Sequence, residues 1–348
     1  MTDDATQAAT TEKRPAGEGD PAAQQPDGGR SRSGRDGRGM TVQQFLRRYG
    51  VLLALVMLVV LATVLSDRFL SVPNLLNIAR QIAIVGVLGV GMTFVIITAG
   101  IDLSVGSILA VVAVTTAAAV NAAGPLAGIV VALLVGGSLG LVNGLGVTIG
   151  GVQPFIMTVG MLAFARGLAF VYTGGSPIPT TDASFLAIGN GRTLGVPNPA
   201  LILLVLLVLA WFVLKRTSYG RAVYAIGSND EAARLSGIRV RTVRASVYVI
   251  SGLCAGIAGL LYASQLGVGT PVAGEMFELD AIAATVIGGT SLFGGQGAIS
   301  GTFMGAALLG MLSNILNLTG VDPFIQRLFR GALIWFAVML QRKDAKGR

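Results

Sequence analysis

The chain of 348 residues contains no histidine and a single cysteine, Cys254. Without histidine there is no imidazole to serve as a general base or a metal ligand. One thiol cannot close an intrachain disulfide, so cysteine says nothing about redox compartment. Charge is scarce, at 12% of residues, and aromatic side chains make up 6%. No G-x-x-x-x-G-K-[ST] phosphate loop occurs: the Gly-rich GGTSLFGGQG, 288–297, has no lysine and lacks the spacing. The chain does not bind ATP by that mechanism. It is not read as an enzyme, and no catalytic, cofactor-binding or metal-ligating residue is expected in it.

What is present is apolar length. Hydrophobic residues make up 53% of the chain, and its mean hydropathy is +0.74. Runs of about 20 apolar residues recur, enough to cross roughly 30 Å of hydrocarbon as a helix. A soluble protein could bury one such helix but not a series of them. The expected class is all-α: a polytopic integral membrane protein of about ten transmembrane helices. The expected spans are 49–65, 77–99, 104–122, 126–149, 154–172, 200–214, 245–264, 279–292, 299–318 and 325–341. The eighth is short and Gly-rich, which fits a broken or re-entrant segment. Residues 1–48 are polar and rich in Gly, Pro, Gln, Asp and Arg. They cannot bury enough apolar area to offset their ordering entropy, so a disordered tail is expected there. Residues 342–348 form a second, short tail after the transmembrane domain 49–341.

The basic residues fix the orientation. The loop 215–244 carries Lys215, Arg216, Arg221, Arg234, Arg239, Arg241 and Arg244 against Asp230 and Glu231. Arg47 and Arg48 flank the first span, and Arg342, Lys343, Lys346 and Arg348 follow the last. With ten spans these regions share one side, which the positive-inside rule makes cytoplasmic, together with both termini. The net charge of +8 is thereby a topology signal, and no nucleic-acid partner is needed to explain it.

Glycine numbers 49. In lipid, small residues let helix backbones approach closely. Gly86, Gly89 and Gly91, Gly136, Gly137, Gly140 and Gly144, and Gly252, Gly256 and Gly259 are expected to pack helices. Within the loop 215–244, GSNDEAARLSGI runs from Gly227 to Ile238. Ser228 and Glu231 fit a capping box. Asp230 and Glu231 suit the positive end of a helix and Arg234 its other end, while Gly237 suits the left-handed position after it. A helix of about eight residues, Ser228–Ser236, follows, with Ala232, Ala233 and Leu235 as its approachable face. Such a helix is marginal alone. It lies either on the chain's own spans and lipid headgroups, or against a cytoplasmic partner.

Two charges stand isolated. Asp102 lies in ITAGIDLSVGSI, 97–108, between two apolar runs. With Ser104 it either caps the next helix or serves a pathway. Arg166, near the outer end of the fifth span, either snorkels outward along its stem, or bonds helix-end carbonyls or an acid on another span, or contacts substrate. Asn143, Gln153, Thr158, Asn314 and Asn317 are further polar residues within or beside spans. GIDLSVGSI and GTSLFGGQGAI look faintly alike, as a repeat would, in either parallel or inverted relation.

TSYGRAVYAIGSNDEAARLSGIRV, 217–240, resembles the cytoplasmic coupling loop of permeases in ABC importers for ribose and related monosaccharides. VGMTFVIITAGIDLSVGS, QPFIMTVGMLAFARGLAFVYTGGSP, GRTLGVPNP and ELDAIAATVIGGTSLFGGQGAISGT are similar to further marked stretches of that family. The likeness covers roughly residues 42 to 342. It implies the permease fold and a subunit of a sugar importer in a bacterial plasma membrane. It also implies three protein partners: a second permease subunit, identical or a sister chain, a cytoplasmic ABC ATP-binding protein and an extracytoplasmic sugar-binding protein. Gly227, Ser228, Glu231, Ala232, Ala233, Arg234 and Gly237 then lie in the segment coupled to the ATPase. Asp102, Ser104, Asn143, Gln153, Thr158, Arg166, Asn314 and Asn317 become helix-break or pathway candidates for an uncharged sugar. The exterior segments 173–199 and 265–280, with Glu275 and Glu278, become docking candidates for the binding protein. Two other readings stand beside this one: an ion-driven secondary transporter using Asp102, and a membrane scaffold that transports nothing.

Overall fold

The computed structural model describes residues 42–329 together with 331, 332, 335 and 339. The expected disordered tail lies outside the described residues up to residue 41, and so does the tail 342–348. The chain forms α1 (Val42–Leu65), α2 (Val72–Ile97), α3 (Val105–Thr148) and α4 (Pro154–Thr173). Then come β1 (Ile178–Pro179), α5 (Ala183–Asn190), β2 (Arg192–Thr193), β3 (Val196–Pro197) and α6 (Asn198–Arg216). After them run α7 (Ser218–Ser228), α8 (Asp230–Leu235), α9 (Val240–Leu266), β4 (Val268–Gly269), α10 (Phe277–Ile287) and α11 (Ile299–Leu318). Residues 323–329 are helical again, and most of the expected last span beyond them lies outside the described residues. Helix α1 starts at Val42, ahead of the apolar run expected from 49, so residues 42–48 are helical and not tail.

Among the described residues six helices, α2, α3, α4, α6, α9 and α11, are long and apolar enough to cross a membrane. Helix α3 is two helices in one. Ala123 and Gly124 leave helical geometry and Pro125 follows them, so the chain turns back where two separate spans, 104–122 and 126–149, are expected.

Helix α9 is the hub, and it packs most extensively on α3. The second half of α3 runs antiparallel to it along a glycine seam. A Cβ added at Gly144 would lie 2.6 Å from the Ala245 carbonyl oxygen, and one at Gly256 would lie 2.5 Å from that of Ala132. Gly136, Gly140 and Gly252 meet backbone in the same way. The buried faces of α2 and α11 complete the core around Leu88, Met92, Ile96 and Leu309.

The expected eighth span, 279–292, is a half-length helix with a dip in front of it. Between α9 and α10, residues 267–276 turn back into the bundle beside the first half of α3. Gly269 abuts Ala113, and Gly274 abuts Gly106 and Leu109. That descent covers about 10 Å at 1.5 Å per helical residue. The 11 residues of α10 then span about 16 Å, near half of a bilayer's hydrocarbon. A second dip, 98–104, breaks the chain between α2 and α3 and ends beside the first. Gly106, just past it, packs against Gly274 and Glu278.

Helix α5 lies across the end of α9. Asp182 caps α5 by accepting from Phe185 N at 2.8 Å, and Phe185 is wholly buried. Asn190 Nδ2 donates to Ser264 O at 3.1 Å and Gln265 O at 3.0 Å. Strands β1 and β4 pair antiparallel, Ile178 opposite Gly269. Strands β2 and β3 form a hairpin whose tip, Leu194–Gly195, has φ of 54° and 80°. Two positive φ values make the turn that suits the twist of a two-residue hairpin.

Candidate functional site

The basic loop 215–244 folds as two helices, α7 and α8. Sequence reasoning missed the first, α7, because Gly220 and Gly227 read as loop. Thr217 caps it, accepting from Gly220 N at 3.2 Å. Its inner face is tied to the bundle: Tyr219 Oη shares a hydrogen bond with Ser246 Oγ at 2.7 Å, and Tyr224 Oη donates to Gly297 O at 2.8 Å. Gly227 sits directly on the end of α2. A Cβ there would overlap the Ile97 carbonyl and come 2.5 Å from Gly295 N. Gly295 N in turn donates to Ile97 O at 2.9 Å. The end of α2, the end of α7 and the loop after α10 therefore meet at one backbone junction.

Helix α8 has six residues and begins one residue later than expected. Asn229, not Ser228, is its cap, accepting from Ala232 N at 2.9 Å. Ser228 Oγ instead donates to Tyr224 O at 2.9 Å. Glu231 does not reach back to form a capping box. Arg234 Nε donates to it at 3.0 Å, and this guanidinium holds the Glu231 carboxyl below its usual value. Gly237, φ 80°, ends the helix. Its N donates to Arg234 O at 3.0 Å, and Ile238 N donates to Ala233 O at 3.1 Å, a Schellman closure. Ala233 is buried, whereas Glu231, Ala232, Arg234 and Gly237 are exposed, so the expected face of three apolar residues is split. Leu235 is 76% exposed beside them. Asp230 anchors α8 to Arg244 of α9 at 3.0 Å.

Asp102 is wholly buried at the dip between α2 and α3. Its Oδ1 accepts from Ser104 N at 3.1 Å and Ser104 Oγ at 2.6 Å, and its Oδ2 accepts from Ser251 Oγ at 2.8 Å. Asn143 Nδ2 donates to Ser104 Oγ at 2.8 Å. No cation is paired with Asp102 among the described residues. The network joins the dip to both halves of α3 and to α9. Ser251 was not visible as a partner in the sequence, because nothing local links it to Asp102. The Tyr248 hydroxyl lies near Gly100 and has no hydrogen-bond partner among the described residues. Thr158 Oγ1 closes the same region by donating to Ile101 O at 3.2 Å.

Arg166 Nη1 donates to Pro271 O at 2.6 Å and Ala273 O at 2.8 Å, pinning the dip 267–276 to α4. The charges of Glu275 and Glu278 act on it. Glu278 is half-buried against Gly106, and Glu275 is exposed beside Gly274. Of the remaining candidates, Asn314 exchanges hydrogen bonds with Asn74 at 3.0 and 2.8 Å, which ties α11 to α2. Asn317 Oδ1 accepts from Gln326 Nε2 at 2.8 Å. Gln153 is exposed at the start of α4, without a side-chain cap bond.

Charges clustered at two breaks within the bundle, with the α7–α8 helix pair seated on one of them, define a multi-pass membrane protein of the transport-permease class. More particularly, the chain belongs to the family described as the branched-chain amino acid transport system / permease component, whose profile matches residues 74–338. It is 44% identical over 303 residues to the ribose import permease protein of Bacillus subtilis, covering 86% of this chain and 94% of that one. It is 42% identical over 312 residues to the ribose import permease protein of Escherichia coli, covering 88% and 97%. It is 37% identical over 305 residues to the D-allose transport system permease protein of Escherichia coli, covering 87% and 94%. No solved structure matches it.

Proposed function

We propose that the chain is the membrane-spanning permease subunit of an ATP-driven, binding-protein-dependent importer for ribose or a related monosaccharide. The observation that carries this is the junction at Gly227. There an exposed cytoplasmic helix pair is joined backbone to backbone to the end of α2 and to the loop after α10. A push on α8 from a nucleotide-hydrolysing partner reaches the break at 98–104 and the loop after α10 through that contact. The names of the relatives supply the cargo. Each subunit pairs with a second permease, identical or a sister, so that the polar face of Arg166, Glu275 and Glu278 lines a watered pathway and not lipid, where such charges are costly. The ATP-binding protein docks on Ala232, Leu235 and their neighbours, with both termini on its side of the membrane. The exterior binding protein docks on α5 and the β2–β3 hairpin, where Leu194 is 97% exposed.

The test is reconstitution in proteoliposomes with the ATP-binding and sugar-binding proteins, using a panel of labelled pentoses and hexoses. Uptake is expected to need ATP and the binding protein and to survive collapse of the ion gradients. A secondary transporter coupled through Asp102 would give the reverse, and a scaffold would move no sugar.

A further inference from the structure

Helix α6 ends where α7 begins, and three bases gather at that joint. Lys215 and Arg216 close α6, and Arg221 stands in the first turn of α7. The two turns are pressed together at Gly220, where an added Cβ would lie 2.5 Å from Val213 O and closer still to Leu214 O. Arg221 is thereby held beside the end of α6. All three side chains are exposed, and none has a carboxylate partner among the described residues. The acids of the same loop are taken elsewhere. Asp230 pairs with Arg244 at 3.0 Å, and Glu231 accepts from Arg234 Nε at 3.0 Å. The carbonyl end of a helix attracts cations, which accounts for Lys215 and Arg216. Arg221 stands at the opposite kind of end, where a cation is disfavoured.

Below the bases the surface is apolar. Leu209, Trp211 and Phe212 of α6 are 44% to 54% exposed. The Arg216 guanidinium lies over the Trp211 ring, 5.7 Å from its centroid. Stacking steadies the guanidinium and leaves its edges free to donate. Tryptophan settles at the level of the lipid headgroups, so this pair places the three bases at that level and Leu209 and Phe212 in the hydrocarbon. Three cations without a counter-charge call for an anion, and phosphate offers the several acceptors that match a guanidinium edge. The apolar band directly beneath selects a phosphate that carries acyl chains over a free one.

We propose that the α6–α7 joint is a binding site for the phosphate of an anionic phospholipid, whose chains lie along Leu209 and Phe212. The site needs nothing from the importer reading, and its test reads lipid rather than sugar. The full chain is delipidated in mild detergent and titrated with phosphatidylglycerol or phosphatidylcholine, and bound lipid is counted by native mass spectrometry. Phosphatidylglycerol is expected to bind the more tightly. Combining Lys215→Gln, Arg216→Gln and Arg221→Gln is expected to weaken its binding by about fivefold for each base removed. Arg239→Gln with Arg241→Gln, exposed bases at the start of α9, is expected to leave it unchanged. Arg221→Glu alone, read in the same way, replaces the triple variant if that one fails to assemble. Undiminished binding in the triple variant overturns the site, and so does equal loss in both sets, which is the mark of diffuse surface charge. Displacement by excess inorganic phosphate makes it a free-anion site and overturns the lipid. A triple variant that keeps its lipid but releases the ATP-binding protein makes the joint a protein interface and overturns it too.

Discussion

At the scale of single residues, Asp102 and Arg166 were visible at once as isolated charges, but their partners were not. A buried carboxylate is tolerable when hydrogen bonds replace its lost water. Three donors do so here: Ser104 N, Ser104 Oγ and Ser251 Oγ. Asp102→Asn keeps an acceptor for Ser104, and the Ser251 hydroxyl can turn to accept from the new amide. Asp102→Leu leaves these groups unbonded, at about 1–3 kcal/mol for each buried group. The expected result is a folded, transporting Asn variant and a Leu variant with a clearly lower melting temperature in detergent. Equal loss of transport in two well-folded variants would show that the charge itself acts. Arg166→Gln removes the bonds to Pro271 and Ala273 and leaves Glu275 and Glu278 unopposed. It is expected to cost about 1–3 kcal/mol. Adding Glu275→Gln is expected to restore part of that, because like-charge repulsion is relieved. A double-mutant cycle on melting temperatures measures the recovery, and strict additivity would remove Glu275 from the account.

At the scale of elements, apolar length made the membrane helices legible, even the pair hidden in α3, where Gly124 and Pro125 mark the turn. The half-helix α10 was only partly legible. Its dip contains Glu275 and several small residues, so hydropathy sees neither a helix nor a loop. Helix α7 was missed because propensity counts Gly220 and Gly227 against a helix, while here they are the points of closest packing. The cap of α8 was misplaced by one residue because Ser228 and Asn229 are both good caps. The glycine seam allows a sharp comparison. Gly144→Val drives a side chain into the backbone of α9 at Ala245, and overpacking of this kind costs about 1–3 kcal/mol. Gly160→Ala in α4 meets nothing within 4 Å and is expected to cost nothing. Thermal unfolding of the two variants checks the contrast. Gly227→Val is expected to abolish uptake while the ATP-binding protein still copurifies, because the contact with Ile97 lies behind the docking face. Normal uptake in that variant would refute the junction as the coupling point.

At the scale of the whole molecule, two exposed leucines mark opposite poles. Leu235 ends helix α8, and Leu194 tips the hairpin between β2 and β3. Neither belongs to a span, so lipid does not explain them. Leu194 holds a φ of 54°, where glycine is the easier residue. A large apolar side chain kept in that conformation, in water, is best explained by a partner that covers it. Replacing Leu194 by Gly relieves the backbone, so fold and melting temperature are expected to hold or improve. Binding-protein-stimulated ATP hydrolysis is expected to fall, by the loss of an apolar anchor worth about 2 kcal/mol or more if it sits at the centre of the interface. Leu235→Asp is expected to act at the other pole, releasing the ATP-binding protein on copurification. Orientation follows from the same pair. If Leu194→Gly releases the ATP-binding protein and Leu235→Asp abolishes the response to the binding protein, the subunit sits in the membrane the other way up, and the basic loop 215–244 is misread as cytoplasmic.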